Sequence, residues 1–351
     1  MKALILSGGV GTRLRPVTYS MPKQLVPVAN KPVIRYGLES IIGAGITDVG
    51  IVVGGWADTI EAQLGDGSAL GARITYLHQD APRGLAHCVM IARDFLGDED
   101  FIMYLGDNVL LGGLDDIVEG FAATRPAAQV VVTKVSDPSG FGVAELGDEG
   151  VVLSLEEKPA RPRSDLGLMG IYLFTPVVHE AVRAIRPSHR NEWEITDALQ
   201  WLVQGGYDVR AHVYSSYWRD TGRIDDLLEC NRAVLDMITR SVDGDVDSSS
   251  EVIGPVVLER GARVSRSRLI GPCLIGAGTV IERSTVGPYA SIDRDCEVTD
   301  AQVQDSIVMS STVIRGVGAL HGSLVGRSAR VEAGAGLRMT VGDECVLEVP
   351  R

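Results

Sequence analysis

Over its first two-thirds the chain alternates short apolar runs with longer stretches whose apolar residues recur every three or four positions. The runs at 3–6, 48–53, 73–77, 101–105 and 129–135 have the length and bulk of strands buried on both faces. Residues 32–44, 58–64, 84–95, 114–124, 176–185, 195–205 and 224–238 carry the spacing of amphipathic helices. Strands alternating with helices predict an α/β, doubly wound layout on a mixed, mostly parallel sheet. Ligands of such sheets bind beyond the carboxyl ends of the strands.

The pattern changes near residue 240. Residues 241–250 are polar and poor in apolar side chains, which suits a linker or the first turn of a second domain. A period of six follows. It runs through Val252, Leu258, Val264 and Ile270, then Leu274, Val280, Val286, Ile292 and Val298, then Ile307, Val313, Ala319, Val325, Val331 and Leu337. Small residues fill many positions between them. One large aliphatic per hexad predicts one short side of a three-sided parallel β-helix, about five coils in all. Two domains are therefore expected, residues 1–240 and 241–351, as a chain of 351 residues allows.

Charge narrows the partners. With 33 basic and 46 acidic residues the net charge is −13, against a general nucleic-acid or anionic-membrane binder. Any phosphate site must be a local basic pocket in an acidic protein. Cys88, Cys230, Cys273, Cys296 and Cys345 are scattered without zinc-ligand spacing, and a reducing cytoplasm is expected. The N-terminus lacks signal-peptide form, and no run of 18 apolar residues offers a membrane span.

The densest chemistry lies at the first strand. Ser7-Gly8-Gly9-Val10-Gly11-Thr12-Arg13-Leu14 follows it directly, then Met21-Pro22-Lys23-Gln24. Three glycines close together let the backbone turn and approach a ligand, and their amides can form an anion-binding nest. Arg13 and Lys23 add fixed positive charge. The P-loop ending Gly-Lys-Ser/Thr is missing, and Leu14 stands where the dinucleotide fingerprint needs a third glycine. The stretch resembles instead the signature loop of the sugar-1-phosphate nucleotidyltransferases.

Four further stretches carry polar groups at predicted loops. Gln79, with a donor and an acceptor on one amide, matches the edge of a pyrimidine, and Gly84 permits close approach at a helix start; a plain polar loop is the alternative. Asp107 follows a buried strand, and Asp220 lies in Tyr217-Trp218-Arg219-Asp220. Each could merely cap a turn, whereas together they suit Mg²⁺, which takes one or two carboxylates plus substrate phosphates. Glu157 and Lys158 suit a sugar phosphate or form a surface ion pair. Arg190 precedes another helix start.

As a set, in this order, the blocks over residues 1–236 resemble the glucose-1-phosphate thymidylyltransferases. The C-terminal hexads are similar to those of the long form of that family. The resemblance implies a Rossmann-like nucleotidyltransferase domain followed by a left-handed β-helix. It implies that dTTP and glucose 1-phosphate give dTDP-glucose and pyrophosphate, with Mg²⁺, in a homo-oligomer. By the same resemblance Leu6, Gly8, Gly9, Gly11, Thr12, Arg13 and Lys23 hold the triphosphate, and Gln79 and Gly84 the base. Leu85, Leu105, Gly142, Glu157, Lys158, Leu168, Arg190 and Trp218 take the sugar phosphate, Asp107 and Asp220 the metal, and Arg13, Lys23 and Lys158 are the catalytic cations. Phe141 replaces a tyrosine of the short form, and Gly140 a residue that is commonly charged. Both touch sugar selectivity rather than reaction class. A uridylyl-, guanylyl- or adenylyltransferase stays open, as does acyl transfer in the β-helix, where His321 is the one histidine, or a non-catalytic regulatory role.

Overall fold

The structure, a computed structural model, describes residues 1–333. The chain forms two compact units that interleave in sequence. One joins Met1–Val10 to Ile34–Asp220; the other joins Gly11–Val33 to the chain from Thr221 onward. Residues 11–33 and the helix Ile224–Leu235 thus fall in the same unit as the repeats.

The first unit is built on a nine-stranded sheet. Lys2–Ser7 lies at its centre, parallel to Asp48–Val53 on one side and to Phe101–Leu105 on the other, with Arg73–His78 at the edge. The predicted strands there form within one residue of their expected ends; the central ones are apolar on both faces, whereas the edge strand Arg73–His78 is largely exposed. The helices Val33–Gly43, Ala57–Leu64, Asp115–Thr124, Val178–Ala184 and Ile195–Gln204 also form where the periodicity puts them. The stretch expected as one helix over 84–95 divides at Ala92 into Leu85–Ile91 and Arg93–Leu96.

Two strands of the sheet carry no clear signal in the sequence. Leu166–Phe174 runs antiparallel to Phe101–Leu105 and to Ala128–Lys134, and Val209–Val213 pairs parallel with Ala128–Lys134. The first is hidden by Gly167 and Gly170, which read as a loop. Gly170 has φ 77° at a break in the register between Leu168 and Tyr172. A side chain there would lie 2.5 Å from Leu105 Cδ1, so the bulge lets the strand cross closely over the tip of its neighbour. Phe101, Tyr172 and Phe174 stack beneath it, with ring centroids 5.4 Å apart for Phe101–Phe174 and 6.0 Å for Tyr172–Phe174.

Among the described residues of the second unit, three parallel sheets of six, six and five short strands stack rung on rung, as in a three-sided β-helix. The strict period of six needs correction. Val264, Ile281 and Val298 pair in succession 17 residues apart, not 18. Most successive rungs share that spacing, one residue short of three hexads, so the inward position slips against the hexad. Leu269, Ile275, Ile281, Ile314 and Leu320 point inward where Ile270, Leu274, Val280, Val313 and Ala319 are expected. Val264, Val286, Ile292 and Val298 are fully or almost fully buried as expected. Leu337 lies outside the described residues. Cys273 and Cys296 fill the same core; burial pushes the Cys273 thiol up to about 12, and it packs as a small apolar group.

The coils approach so closely that some turns admit only glycine. At Gly287, φ is 93° and an added Cβ would lie 1.8 Å from the carbonyl oxygen of Ile270. Gly287→Ala is expected to cost about 3 kcal/mol, from left-handed strain plus overpacking against backbone. Urea unfolding followed by circular dichroism measures it; an unchanged midpoint would show that the rungs can separate there.

Candidate active site

The sheet brings two strand tips together at the start of the glycine loop. Leu6 is in register with Leu105, and Gly106 N–H donates to Leu6 O at 2.9 Å. Ser7 is buried, and its Oγ has no hydrogen-bond partner among the described residues. Gly8 comes next, and a Cβ on it would lie 2.3 Å from Gln79 Oε1. The Gln79 amide therefore rests on the Gly8 backbone, held from below by its own N–H donating to Val53 O at 2.8 Å. Gly9 and Val10 are exposed. Adding any side chain at Gly8 displaces the glutamine.

Gly84 shows the same logic. Its φ is 103°, and a Cβ would meet Trp193 O at 2.4 Å. Trp193 N–H donates to Arg83 O at 2.8 Å, and Ala86 N–H to Trp193 O at 3.0 Å. The loop from Gln79 to Leu85 is thus fastened to the segment that carries Arg190.

In the other unit, Gly11 is left-handed (φ 70°), and a Cβ built on it would lie 3.0 Å from Lys23 Cβ. Lys23 therefore packs over Gly11, although 12 positions separate them in sequence. Thr18 Oγ1 donates to Gly11 O at 2.7 Å and fixes the same turn. Thr12–Leu14 is a 3-10 turn anchored by buried Leu14, leaving Thr12 and Arg13 exposed. Arg13 lines a cavity of about 600 Å³ with Thr12, Arg15, Ser20, Met309 and Arg327. Arg15 and Arg327 are cations that motif reading passes over; Arg327 is invisible there because more than 300 residues separate it from the loop.

The two expected metal carboxylates are neighbours. Trp218–Asp220 pairs antiparallel with Asn108–Leu110, and the register sets Asp220 opposite Asn108, next to Asp107. Asn108 is locked: its Nδ2 donates to Met169 O at 2.5 Å, and its carbonyl accepts from Tyr104 Oη at 3.1 Å. No group of three His, Cys, Asp or Glu residues of metal-holding geometry occurs among the described residues. A pair of carboxylates without sulfur or imidazole fits a hard ion that keeps other oxygen ligands.

Glu157 is the hub of the remaining residues. Its Oε2 accepts from Thr196 Oγ1 at 2.5 Å, and its Oε1 lies 3.3 Å from Lys158 Nζ and 3.8 Å from Arg190 Nη1. Gly142 leaves room for it: a Cβ there would sit 3.1 Å from Glu157 Oε2 and 2.7 Å from Leu168 Cδ1. Arg190 also pairs with Glu192 at 2.7 Å and with Glu194 at 3.2 Å. Burial draws its pKa down, but those carboxylates outweigh it, and the guanidinium is held above its ordinary value. Burial raises Glu194 and Asp197 above the usual carboxylate range, Asp197 with the Glu157 charge adding to it. Trp218 leans on Phe141, with ring centroids 5.9 Å apart, and its indole Nε1 is buried without a hydrogen-bond partner among the described residues. Thr196 is the polar group here that sequence reasoning passes over, since a threonine inside a helix start has no motif of its own.

Comparison with known proteins fits this geometry. Residues 2–237 match the nucleotidyl transferase family. The chain belongs to that family. Among relatives of this nucleotidyl transferase, a glucose-1-phosphate thymidylyltransferase of Streptomyces griseus is 57% identical over 94% of this chain and 93% of its own. One from Streptomyces antibioticus is 51% identical over 99% of both chains. A solved Bacillus anthracis structure, described as a glucose-1-phosphate thymidylyltransferase in complex with sucrose, superposes with a TM-score of 0.63 at 33% identity, covering 69% of this chain and 97% of its own. The similarity of this nucleotidyl transferase to the two Streptomyces proteins thus extends over nearly its whole length.

Proposed function

We propose that this enzyme transfers a thymidylyl group from dTTP to glucose 1-phosphate, giving dTDP-glucose and pyrophosphate. The observation that carries this reading is the Gln79 amide resting on Gly8. It sets a pyrimidine-edge reader against the start of a phosphate-holding loop, so one nucleotide can span both. Near full-length similarity to two thymidylyltransferases supports the thymine over the uracil form.

The chemistry follows from the groups. The second pKa of a phosphate monoester is about 6, so glucose 1-phosphate arrives as a dianion and needs no base. One of its oxygens attacks the α-phosphorus of dTTP; the bond from that phosphorus to the β-phosphate oxygen breaks, and pyrophosphate leaves. The barrier is repulsion between anions and their alignment. Arg13 and Lys23, the latter packed over Gly11, are assigned to the triphosphate, and Lys158 to the sugar phosphate. Glu157 takes sugar hydroxyls, oriented by Thr196. Asp107 and Asp220 would hold Mg²⁺, which neutralises phosphate charge when bound. Residues 1–240 carry the reaction in this scheme, and the repeats of 241–351 serve a homo-oligomer in the cytoplasm, where buried free thiols stay reduced.

A nucleotide panel tests it. Pyrophosphate release with glucose 1-phosphate is expected to be fastest with dTTP, slower with UTP, and near background with GTP and ATP. A purine preference would remove Gln79 from base reading; a UTP preference would turn the assignment to a uridylyltransferase.

A further inference from the structure

Within the second unit, the segment that carries Arg13 and Lys23 is mounted on the β-helix through one buried amide. Asn231, on the helix Ile224–Leu235, is 1% exposed. Its Oδ1 accepts from Ala29 N–H at 2.9 Å and from Ser291 Oγ at 2.8 Å, so both lone pairs are used. Its Nδ2 donates to Tyr289 O at 3.2 Å. A single side chain thus joins the end of the phosphate loop, the connecting helix and one coil of the repeats. Asn30 Nδ2 donates to Ile292 O on the same coil at 2.8 Å, and Arg327 Nη2 to Ser20 O at 3.0 Å. Beside Asn231, Arg232 grips Asp305 of the repeats with contacts of 2.7 and 2.8 Å.

The contact falls where the chain is strained. Pro27–Val28 pairs antiparallel with Lys31–Pro32, and the two residues between, Ala29 and Asn30, have φ of 45° and 59°. A tight hairpin of this kind favours Asn-Gly or Asp-Gly, because both central residues are left-handed. Ala29 pays for that with its Cβ, at about 1–2 kcal/mol. A buried acceptor on its N–H holds the turn in place. The hairpin begins two residues after the 3-10 turn Lys23–Leu25 and is tied to it by Val33 N–H donating to Val26 O at 3.1 Å. The position of Lys23, and of Arg13 through the Gly11 packing, is therefore set from Asn231.

We propose that Asn231 is a positioning residue for the reaction, and that the β-helix is the mount of the triphosphate loop rather than an appendage to it. This rests on the reading that Arg13 and Lys23 hold the triphosphate. Loss of the amide leaves a buried Ala29 N–H and Ser291 hydroxyl unpaired and frees the hairpin to shift; a displacement of about 1 Å at the cations is worth about 100-fold in rate.

The test is Asn231→Ala in the full chain, assayed well below its melting temperature. Expected are a kcat lower by about 10- to 100-fold and a KM for glucose 1-phosphate within about 2-fold of the parent, since Glu157 and Lys158 belong to the other unit. Adding Ala29→Gly, which removes the left-handed strain, is expected to recover part of kcat. A destabilised but correctly positioned enzyme would show a lower melting temperature without the kcat loss or its rescue, and that result overturns the proposal. Hydrogen exchange reads the mount without any turnover. Faster exchange over residues 20–33 in Asn231→Ala supports the proposal even if the parent proves to use another substrate pair, whereas unchanged exchange there sinks it whatever the substrate.

Discussion

Asp107→Asn is expected to fold normally and to lose about 1,000-fold or more in turnover. The substitution is isosteric, so it opens no cavity in a position that is only 8% exposed. The backbone around it is fixed independently: Gly106 N–H is bonded to Leu6 O, and Asn108 is held by Met169 and Tyr104. What changes is one negative charge beside Asp220, at the tips of the central strands. A hard cation held by the carboxylate pair would offset phosphate charge and contribute several kcal/mol to the transition state, and half of that pair is a poor ligand for such a cation. Pyrophosphate release at saturating Mg²⁺, alongside circular dichroism, checks both halves of the claim. Near-normal turnover would take Asp107 out of the metal site.

Arg13→Ala is expected to lower kcat by about 100-fold while the KM for glucose 1-phosphate moves less than about 3-fold. The side chain is exposed on a 3-10 turn whose fold depends on buried Leu14 and on the Thr18–Gly11 bond, so the turn survives the truncation. The lost guanidinium is one of the few cations that an enzyme of net charge −13 concentrates at its phosphate loop. Its worth grows as charge builds on the α-phosphate, which is why the effect belongs to kcat. A loss confined to KM would assign Arg13 to ground-state binding.

Much of this could be read in advance, for identifiable reasons. Strands such as Lys2–Ser7 and Asp48–Val53 announce themselves because burial on both faces demands unbroken apolar runs. Leu166–Phe174 is as deeply buried, yet its two glycines mimic a loop; the close crossing over Leu105 that requires Gly170 is a tertiary event. The hexads revealed the β-helix but not its register, because most rungs pair 17 residues apart, and the missing residue shifts the inward positions without abolishing the period.

The site divides in the same way. Gly8, Gly11, Arg13, Lys23 and Asp107, residues of the proposed site, sit in short motifs whose chemistry is local, and order along the chain sufficed to nominate them. Thr196 and Asn231 have no local signature, since each matters through a partner: Glu157, 39 positions away, for the first, and Ala29, 202 positions away, for the second.

By itself, then, the amino-acid sequence determined most of the elements and the presence of the repeat, and it nominated the glycine-rich loop, because periodicity, glycine conformation and charge act over a few residues. Only the tertiary structure decided that this loop is divided, residues 8–10 falling in one unit and residues 11–33 in the other. The choice depends on a buried amide whose hydrogen bonds must be satisfied by whatever segment folds against it, and no spacing along the chain encodes that pairing.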